Sequence, residues 1–232
     1  MTTVEEQRAE PAEGPQSRPA LKSAALGCGF LAALPVLLVL GVVLVIMVES
    51  AVPEDYAKVT PEKMAEQVVS TSEDAYRAMG LRRRIPRGEQ RTGTGGRTVN
   101  TLTSGFCYPG GWESVKDHSV DGAYSLSHAW ELDQVPAKVA LPALKRLRDH
   151  LKDTGWRIRD YGKTVNDEWE VRAERDEETS DDGVVRQSVT WYENDQRLSG
   201  GYAGPCAYDP GWRKGDGLAG TQVRAPAVFP TP

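Results

Sequence analysis

The feature that most limits how this chain can fold is an uncharged run of 26 residues near its N-terminus. The run extends from Ser23 to Val48, between Lys22 and Glu49, and contains "FLAALPVLLVLGVVLVIMV". A helix of this length is long enough to cross the ~30 Å apolar core of a bilayer. The sequence therefore predicts a single transmembrane helix over 23–48.

A cleaved signal peptide is the alternative explanation for this run, because Val48-Glu49-Ser50 before Ala51 resembles a small-residue cleavage site. The apolar region of a signal peptide is only about 7 to 15 residues long and follows a positively charged leader. Residues 1–22 instead carry four glutamates against three bases. We therefore favour a retained anchor over a cleaved signal.

The charges beside the run predict its orientation. Arg18 and Lys22 lie shortly before it, whereas the first base after it is Lys58, which follows three acidic residues. Basic residues favour the cytoplasmic side of a membrane. We therefore expect a single-pass protein of the cell membrane, with a disordered cytoplasmic tail over 1–22 and an extracytoplasmic C-terminal part.

Residues 49–105 are expected to form a helical and basic, glycine-rich spacer. Thr60 and Pro61 begin a helical pattern that Gly80 ends, and apolar residues recur on one face of that helix from Met64 to Met79. The next stretch, "LRRRIPRGEQRTGTGGRTVN", has six arginines and one acid, with glycines between them. Such a composition is typical of a mobile linker.

All six tryptophans follow this linker, so the predicted folded domain spans 106–213, and 214–232 is expected to be a flexible tail. Alternating apolar residues predict five strands, and leucines at helical spacing predict one helix. The strands are predicted in "YSLSHAWEL", "WRIRDY", "EWEVRAER", "VVRQSVTWYE" and "RLSGGYAG", and the helix in "VPAKVALPALKRLRDHLKDTG". The expected fold is α+β, with one helix packed on an antiparallel sheet of about five strands.

Two of the three cysteines, Cys107 and Cys206, lie near the beginning and the end of this domain. Thiols outside the cytoplasm are readily oxidised, so we predict a disulfide between them. Each of these cysteines begins a similar phrase, "CYPGGW" or "CAYDPGW", with a tyrosine, a Pro-Gly turn and a tryptophan. A disulfide would bring the two phrases side by side.

The rings of these phrases, Tyr108, Trp112, Tyr208 and Trp212, have two interpretations. They either cover the open end of the core and shield the disulfide, or form an aromatic platform. On such a platform a sugar ring or a partner side chain would stack. We name these four residues the aromatic platform, and the exposure of the rings distinguishes the two interpretations.

No pattern of catalytic or metal-ligating residues is evident in the sequence. The three histidines are scattered, and the chain has no nucleophile elbow, phosphate loop, paired-histidine zinc motif or CxxC pair. The acidic segment 175–182 lacks the spacing and the glycine of a calcium-binding loop. With a net charge of −5, nothing suggests a nucleic-acid partner. We therefore expect no catalytic residue, no metal and no cofactor.

The composition has a further signature, since arginine outnumbers lysine 19 to 9 and isoleucine and asparagine occur three times each. In composition and layout the chain resembles single-pass, extracytoplasmic envelope proteins of high-GC Gram-positive bacteria. That resemblance implies a cell type and a location, but it carries no functional residue with it.

The expected function is a membrane-anchored, extracytoplasmic, non-catalytic binding or structural module of the cell envelope, with a cell-wall polymer or another membrane protein as its partner. The first alternative is an interaction with another membrane protein through the spanning helix and the face from Met64 to Met79. The second is a hydrolase without a recognisable motif.

Overall fold

The computed structural model divides the chain into two compact units, residues 1–52 and 53–232. The residues that it describes are 35, 37–44, 55–93, 96–108, 118–176 and 184–231. In the first unit these include a short helix, α1, at residues 35 and 37–44. The predicted disordered tail over 1–22 lies outside the described residues.

The membrane prediction is not supported. Among the described residues, no helix combines the length and the apolarity that a membrane crossing requires. The predicted transmembrane helix over 23–48, and the single-pass location in the cell membrane that depends on it, are therefore wrong.

The second unit is built on a nine-stranded sheet, rather than the predicted sheet of about five strands. A separate two-stranded sheet consists of β2 and β11. The strands are β1 (Ala57–Lys58), β2 (Ile85–Pro86), β3 (Gly88–Arg91), β4 (Arg97–Phe106), β5 (Ala123–Leu132), β6 (Arg157–Lys163), β7 (Trp169–Asp176), β8 (Val184–Tyr192), β9 (Arg197–Ala203), β10 (Ala207–Tyr208) and β11 (Val228–Phe229).

The five predicted strands correspond to β5–β9, and the rest of the sheet explains the difference in strand number. Strand β5 lies at the centre, between β4 and β9, and β8, β7 and β6 follow β9 in an antiparallel meander. Strand β3 extends the sheet beyond β4, and the short strand β10 pairs with the start of β5 and with β1. Strands β1, β3 and β4 come from the segment that was expected to be a spacer.

Strand β5 shows most clearly how the sheet is divided into two faces. Its side chains from Tyr124 to Leu132 alternate, because successive residues of a strand point to opposite sides. The even-numbered residues, His128 included, are all fully buried, whereas Ser125, Ser127 and Ala129 remain accessible. One face of the sheet is therefore covered by the core, and we call the other the open face.

Two helices cover the buried face: α2 (Pro61–Ala78) and α3 (Ala137–Asp153). The hydroxyl of Thr60 caps α2 by accepting a hydrogen bond from the Lys63 amide at 3.5 Å. The helices contact each other where the Arg146 Nε donates to the Met79 carbonyl at 3.0 Å. The face from Met64 to Met79 is buried in the protein's own core, so it is not available to a membrane partner.

The C-terminal segment 214–231, which was expected to be a flexible tail, contributes to the same core. Phe229 of β11 is fully buried. The centre of its ring lies 4.6 Å from that of His128 and 5.1 Å from that of Tyr76. This segment therefore closes the core beside α2.

Candidate functional site

Cys107 and Cys206 form a disulfide, with their Cα atoms 6.0 Å apart, so the predicted pairing is confirmed. Both cysteines are buried. Their neighbours Phe106 and Ala207 both pair with Tyr124, from opposite sides of β5. The disulfide thus joins the two strands that flank the start of the central strand.

The residues of the aromatic platform near this disulfide differ in how far they are exposed to solvent. The side chain of Tyr108 is 47% exposed. The ring of Tyr208 is half-buried, 5.4 Å from that of Tyr56, whose hydroxyl donates to the Tyr108 carbonyl at 3.0 Å. Trp112 lies outside the described residues.

The fourth platform residue, Trp212, is half-buried. Its Nε1 donates to the Gly217 carbonyl at 3.1 Å, and its indole covers the backbone of Gly122. A Cβ at Gly122 would lie only 3.0 Å from the Cε3 of that indole. Both the shielding and the stacking interpretation of the platform remain predictions.

A different site emerges on the open face, where small side chains lie in register across several strands. One row crosses the sheet from Thr101 through Ala129, Gly201 and Ser188 to Arg172. Two further rows lie beside it. One row includes Thr103, Ser127 and Ala203. The other includes Glu131, Ser199 and Thr190. The centre of this face is therefore a floor of serine, threonine, alanine and glycine.

This floor forms a groove with a volume of about 420 Å³, which we call the open-face groove. Arg172 and Arg186 line one side of it. A Cβ at Gly201 would collide with the carbonyl oxygen of His128, so this position excludes any side chain. The backbone at Gly201 is therefore bare, and no side chain projects from the middle of the floor.

Ion pairs fix the charged side chains around the floor. The Arg97 Nε lies 2.7 Å from the Glu131 Oε2, and the Arg197 Nη1 lies 3.2 Å from the Glu131 Oε1. Arg172 pairs with Glu170 at 3.0 Å. The rim of the groove therefore presents both signs of charge in an ordered arrangement.

Glu174 of β7 pairs in register with Arg186 of β8, and neighbouring arginines change the pKa of its carboxyl group. Hydrogen bonds from Arg157, and then from Arg159, keep its pKa below the usual value. The corresponding nitrogen-to-oxygen distances are 3.0 Å and 2.8 Å. This carboxylate thus stays ionised beside the groove at neutral pH.

The described lining of the groove consists mainly of hydrogen-bonding groups and small side chains. Its described lining offers serine and threonine hydroxyls, two guanidinium groups and backbone atoms. The imidazole of His128 belongs to a lining residue, but it points to the buried face. The described lining therefore has no exposed general base or thiol to activate a nucleophile.

None of these groove residues was predicted as a site from the sequence. The signal that was available is the alternation of small residues in β5, β8 and β9, at Ser125-x-Ser127-x-Ala129, Ser188-x-Thr190 and Ser199-x-Gly201-x-Ala203. Each fragment alone is an ordinary polar strand face. Only the register of the three strands joins them into one surface.

Neither a related protein nor a metal site indicates what this groove binds. No protein-family model matches the chain, and no curated protein or solved structure shows significant similarity to it. In the part of the chain that the structure describes, no group of three or more histidine, cysteine, aspartate or glutamate residues is placed to hold a metal ion. The geometry of the groove is therefore the basis for a functional proposal.

Proposed function

We propose that this protein is a non-catalytic binding module that holds a hydroxyl-rich polymer, of the kind found in cell-wall glycans, in the open-face groove. The observation that carries the proposal is the floor of small polar residues between Ser127 and Ser188, bordered by Arg172 and Arg186. A polymer is favoured over a small molecule because the floor is shallow and continues across strands outside the groove.

The direction of the rows suits an extended ligand. Neighbouring strands are spaced by about 4.8 Å, so a row that crosses five strands extends for about 19 Å. A chain lying along the row from Thr101 to Arg172 would meet one row position on each strand. Small side chains, and none at Gly201, allow that chain to approach the sheet closely.

The polar groups of the floor match the hydroxyls of a sugar. Serine and threonine hydroxyls both donate and accept hydrogen bonds, and guanidinium groups donate several. Arg172 is held by Glu170 before any ligand arrives, which reduces the conformational entropy lost on binding. Hydroxyl-to-hydroxyl contacts thus provide most of the recognition, and the arginines orient the ligand.

The disulfide supports a site of action in an oxidising compartment, since such bonds are rare in proteins of the cytosol. Envelope polymers are the hydroxyl-rich chains that a protein meets there. The lack of an exposed general base in the described lining favours holding the polymer over cleaving it.

Co-sedimentation of the full-length, oxidised protein with purified Gram-positive cell wall tests this proposal. Ser188→Tyr places a bulky ring on the floor of the groove at an exposed strand position. We expect this variant to bind the wall at least about tenfold more weakly than the wild type, which corresponds to about 1.4 kcal/mol. Ser70→Tyr, at an exposed position of α2, is the matched control and should bind like the wild type.

Thermal unfolding of both variants establishes that they are folded. The proposal is supported if only Ser188→Tyr loses binding. It is contradicted if the wild type does not sediment with the wall, or if Ser188→Tyr binds as tightly as Ser70→Tyr.

A further inference from the structure

A second cavity, of about 380 Å³, lies on the helix side of the sheet, and we call it the helix-side cavity. Its walls come from α2, from β9, from the segment around Cys206 and from the end of β7. It is separated from the open-face groove by the sheet itself. Its volume falls within the range of roughly 300 to 1,000 Å³ that is typical of small-molecule sites.

The apolar wall of this cavity is formed by α2. Met64 and Val68 are one helical turn apart, both buried, and line the cavity together with Val59. A Cβ at Gly204 would lie 2.9 Å from both the Met64 Sδ and the Val68 Cγ2, so helix and strand are in close contact there. That contact closes one part of the cavity with apolar atoms.

Arg175 is the one cation among the described residues that line the cavity. Its guanidinium carbon lies 4.6 Å from the centre of the Trp156 ring, and Trp156 packs edge-on against Tyr202. Within the described ranges, no ion pair joins Arg175 to a carboxylate, although its neighbour Arg172 on β7 has such a partner. The guanidinium is thus oriented by an aromatic ring, and its charge is not neutralised there.

We propose that the helix-side cavity binds an anionic amphiphile, with its carboxylate or phosphate on Arg175 and its apolar chain against Met64 and Val68. A guanidinium forms paired hydrogen bonds with the oxygens of either anionic group. An apolar chain that displaces water from the cavity gains free energy from the apolar surface of the lining that it buries. The cavity therefore offers a guanidinium for the anionic group and an apolar wall for the chain of such a molecule.

The shape of the cavity distinguishes its ligand from that of the open-face groove. Its walls combine one charged group with apolar side chains, whereas the groove presents many hydroxyls on a shallow floor. A short-chain amphiphile fits the first arrangement and a polymer fits the second. The two proposals are independent, because the sites lie on opposite faces of the sheet.

Titration of the full-length, oxidised protein with octanoate, observed through its methyl resonances by NMR, tests the cavity. We expect saturable shifts of the Met64 and Val68 methyl groups. We expect 1-octanol, which lacks the charge, to bind at least about tenfold more weakly, because a hydrogen bond to a charged group contributes more than this factor. Arg175→Met, which keeps an apolar contact with Trp156, should weaken octanoate binding to a similar extent.

Two further variants test whether the charge of Arg175 itself is needed for binding. Arg175→Lys keeps the charge but loses the paired hydrogen bonds, so its affinity should fall between those of the wild type and Arg175→Met. Arg82→Met, which removes an exposed arginine outside the cavity, should bind octanoate like the wild type. If Arg175→Met does not fold, Arg175→Lys and the comparison of octanoate with octanol still decide the outcome.

Octyl phosphate, titrated in parallel, distinguishes the two sources of an anionic head group. Tighter binding of octanoate indicates a fatty-acid-like ligand, and tighter binding of octyl phosphate indicates a phospholipid-like ligand. The proposal is overturned if octanol binds as tightly as octanoate, if Arg175→Met keeps the wild-type affinity, or if the Met64 and Val68 methyl groups do not shift.

Discussion

The Nε2 of His128 lies 3.1 Å from the side-chain Oδ1 of Asn100, in the buried layer between the sheet and the helices. The Asn100 amide group donates to the carbonyls of Ile85 and Pro226, at 3.2 Å and 3.0 Å. The Asn100 Oδ1 must therefore accept, so the imidazole proton is on Nε2. The Nδ1 of His128 is buried and has no hydrogen-bond partner among the described residues.

This arrangement predicts a pH-dependent stability. Burial lowers the pKa of His128 from 6.5 to about 4. The unfolded chain thus takes up a proton near pH 6.5 and the folded chain only near pH 4, so the stabilisation is complete above pH 6.5 and is lost as the pH falls toward 4. The expected loss is about 3 kcal/mol, at 1.36 kcal/mol for each unit of pKa.

Urea unfolding of the wild type and of His128→Gln, followed from about pH 7.5 down to about pH 4, measures this contribution. Glutamine keeps an N–H donor for Asn100 but does not titrate. The difference in unfolding free energy between the two proteins should narrow as the pH falls. Two parallel curves would show that His128 does not cause the loss.

The disulfide between Cys107 and Cys206 should make a large contribution to stability. It closes a loop with a sequence separation of 99 residues. In the chain-entropy model such a loop contributes about 4 to 5 kcal/mol, because the bond restricts the unfolded chain. We expect the double variant Cys107→Ala/Cys206→Ala to lose most of this amount in urea unfolding, whereas a loss below about 1 kcal/mol would contradict the argument.

Gly200 should be intolerant of a side chain. A Cβ there would lie 2.5 Å from the Trp130 Cζ2 and 2.8 Å from the Val189 Cγ2. We expect Gly200→Ala to lower the unfolding free energy by about 1 to 3 kcal/mol, as overpacking in a core usually does. Gly217→Ala is the control, since a Cβ at that position meets no atom within 4 Å. Equal stability of the two variants would refute the steric argument.

The aromatic platform leads to a prediction that separates its two interpretations. Trp212 covers Gly122 and donates to the Gly217 carbonyl, so we expect Trp212→Ala to cost about 2 kcal/mol of stability. Tyr108→Ala should change stability by no more than about 0.5 kcal/mol, because that ring is 47% exposed. Loss of wall binding in a folded Tyr108→Ala variant would instead favour the stacking interpretation.

The parts of the fold that the sequence predicts are those with a regular apolar pattern. Alternation from Tyr124 to Leu132 predicts β5, and the spacing of Leu144, Leu147 and Leu151 predicts α3. Both elements bury apolar side chains directly against the core, so their local pattern reflects their final environment. The pairing of Cys107 with Cys206 was predictable for a different reason. The chain has only three cysteines, and these two lie near the beginning and the end of the predicted domain.

Strand β4 shows why the rest of the sheet was missed. Its buried face carries Asn100 and Ser104, which are polar and break the expected alternation. Their hydrogen bonds go to distant residues: Asn100 donates to Ile85 and Pro226, and the Ser104 hydroxyl donates to the Ala219 carbonyl. Partners this far apart in sequence satisfy buried polar groups in a way that no local pattern reveals.

The apolar run 23–48 illustrates the opposite error. Its length and lack of charge are the standard signal for a membrane span, but no described helix meets that requirement. The open-face groove could not be predicted either, because residues such as Ser127, Ser188 and Gly201 become neighbours only through strand register.

A map of backbone amide shifts, recorded while the full-length, oxidised protein binds soluble cell-wall fragments, locates the binding site on the protein. If the open-face groove is the binding site, the largest shifts should cluster at Ser127, Ser188, Ser199 and Gly201, and Ser188→Tyr should abolish them. Shifts confined to Tyr108, Tyr208 and Trp212, or no shifts at all, would contradict the account.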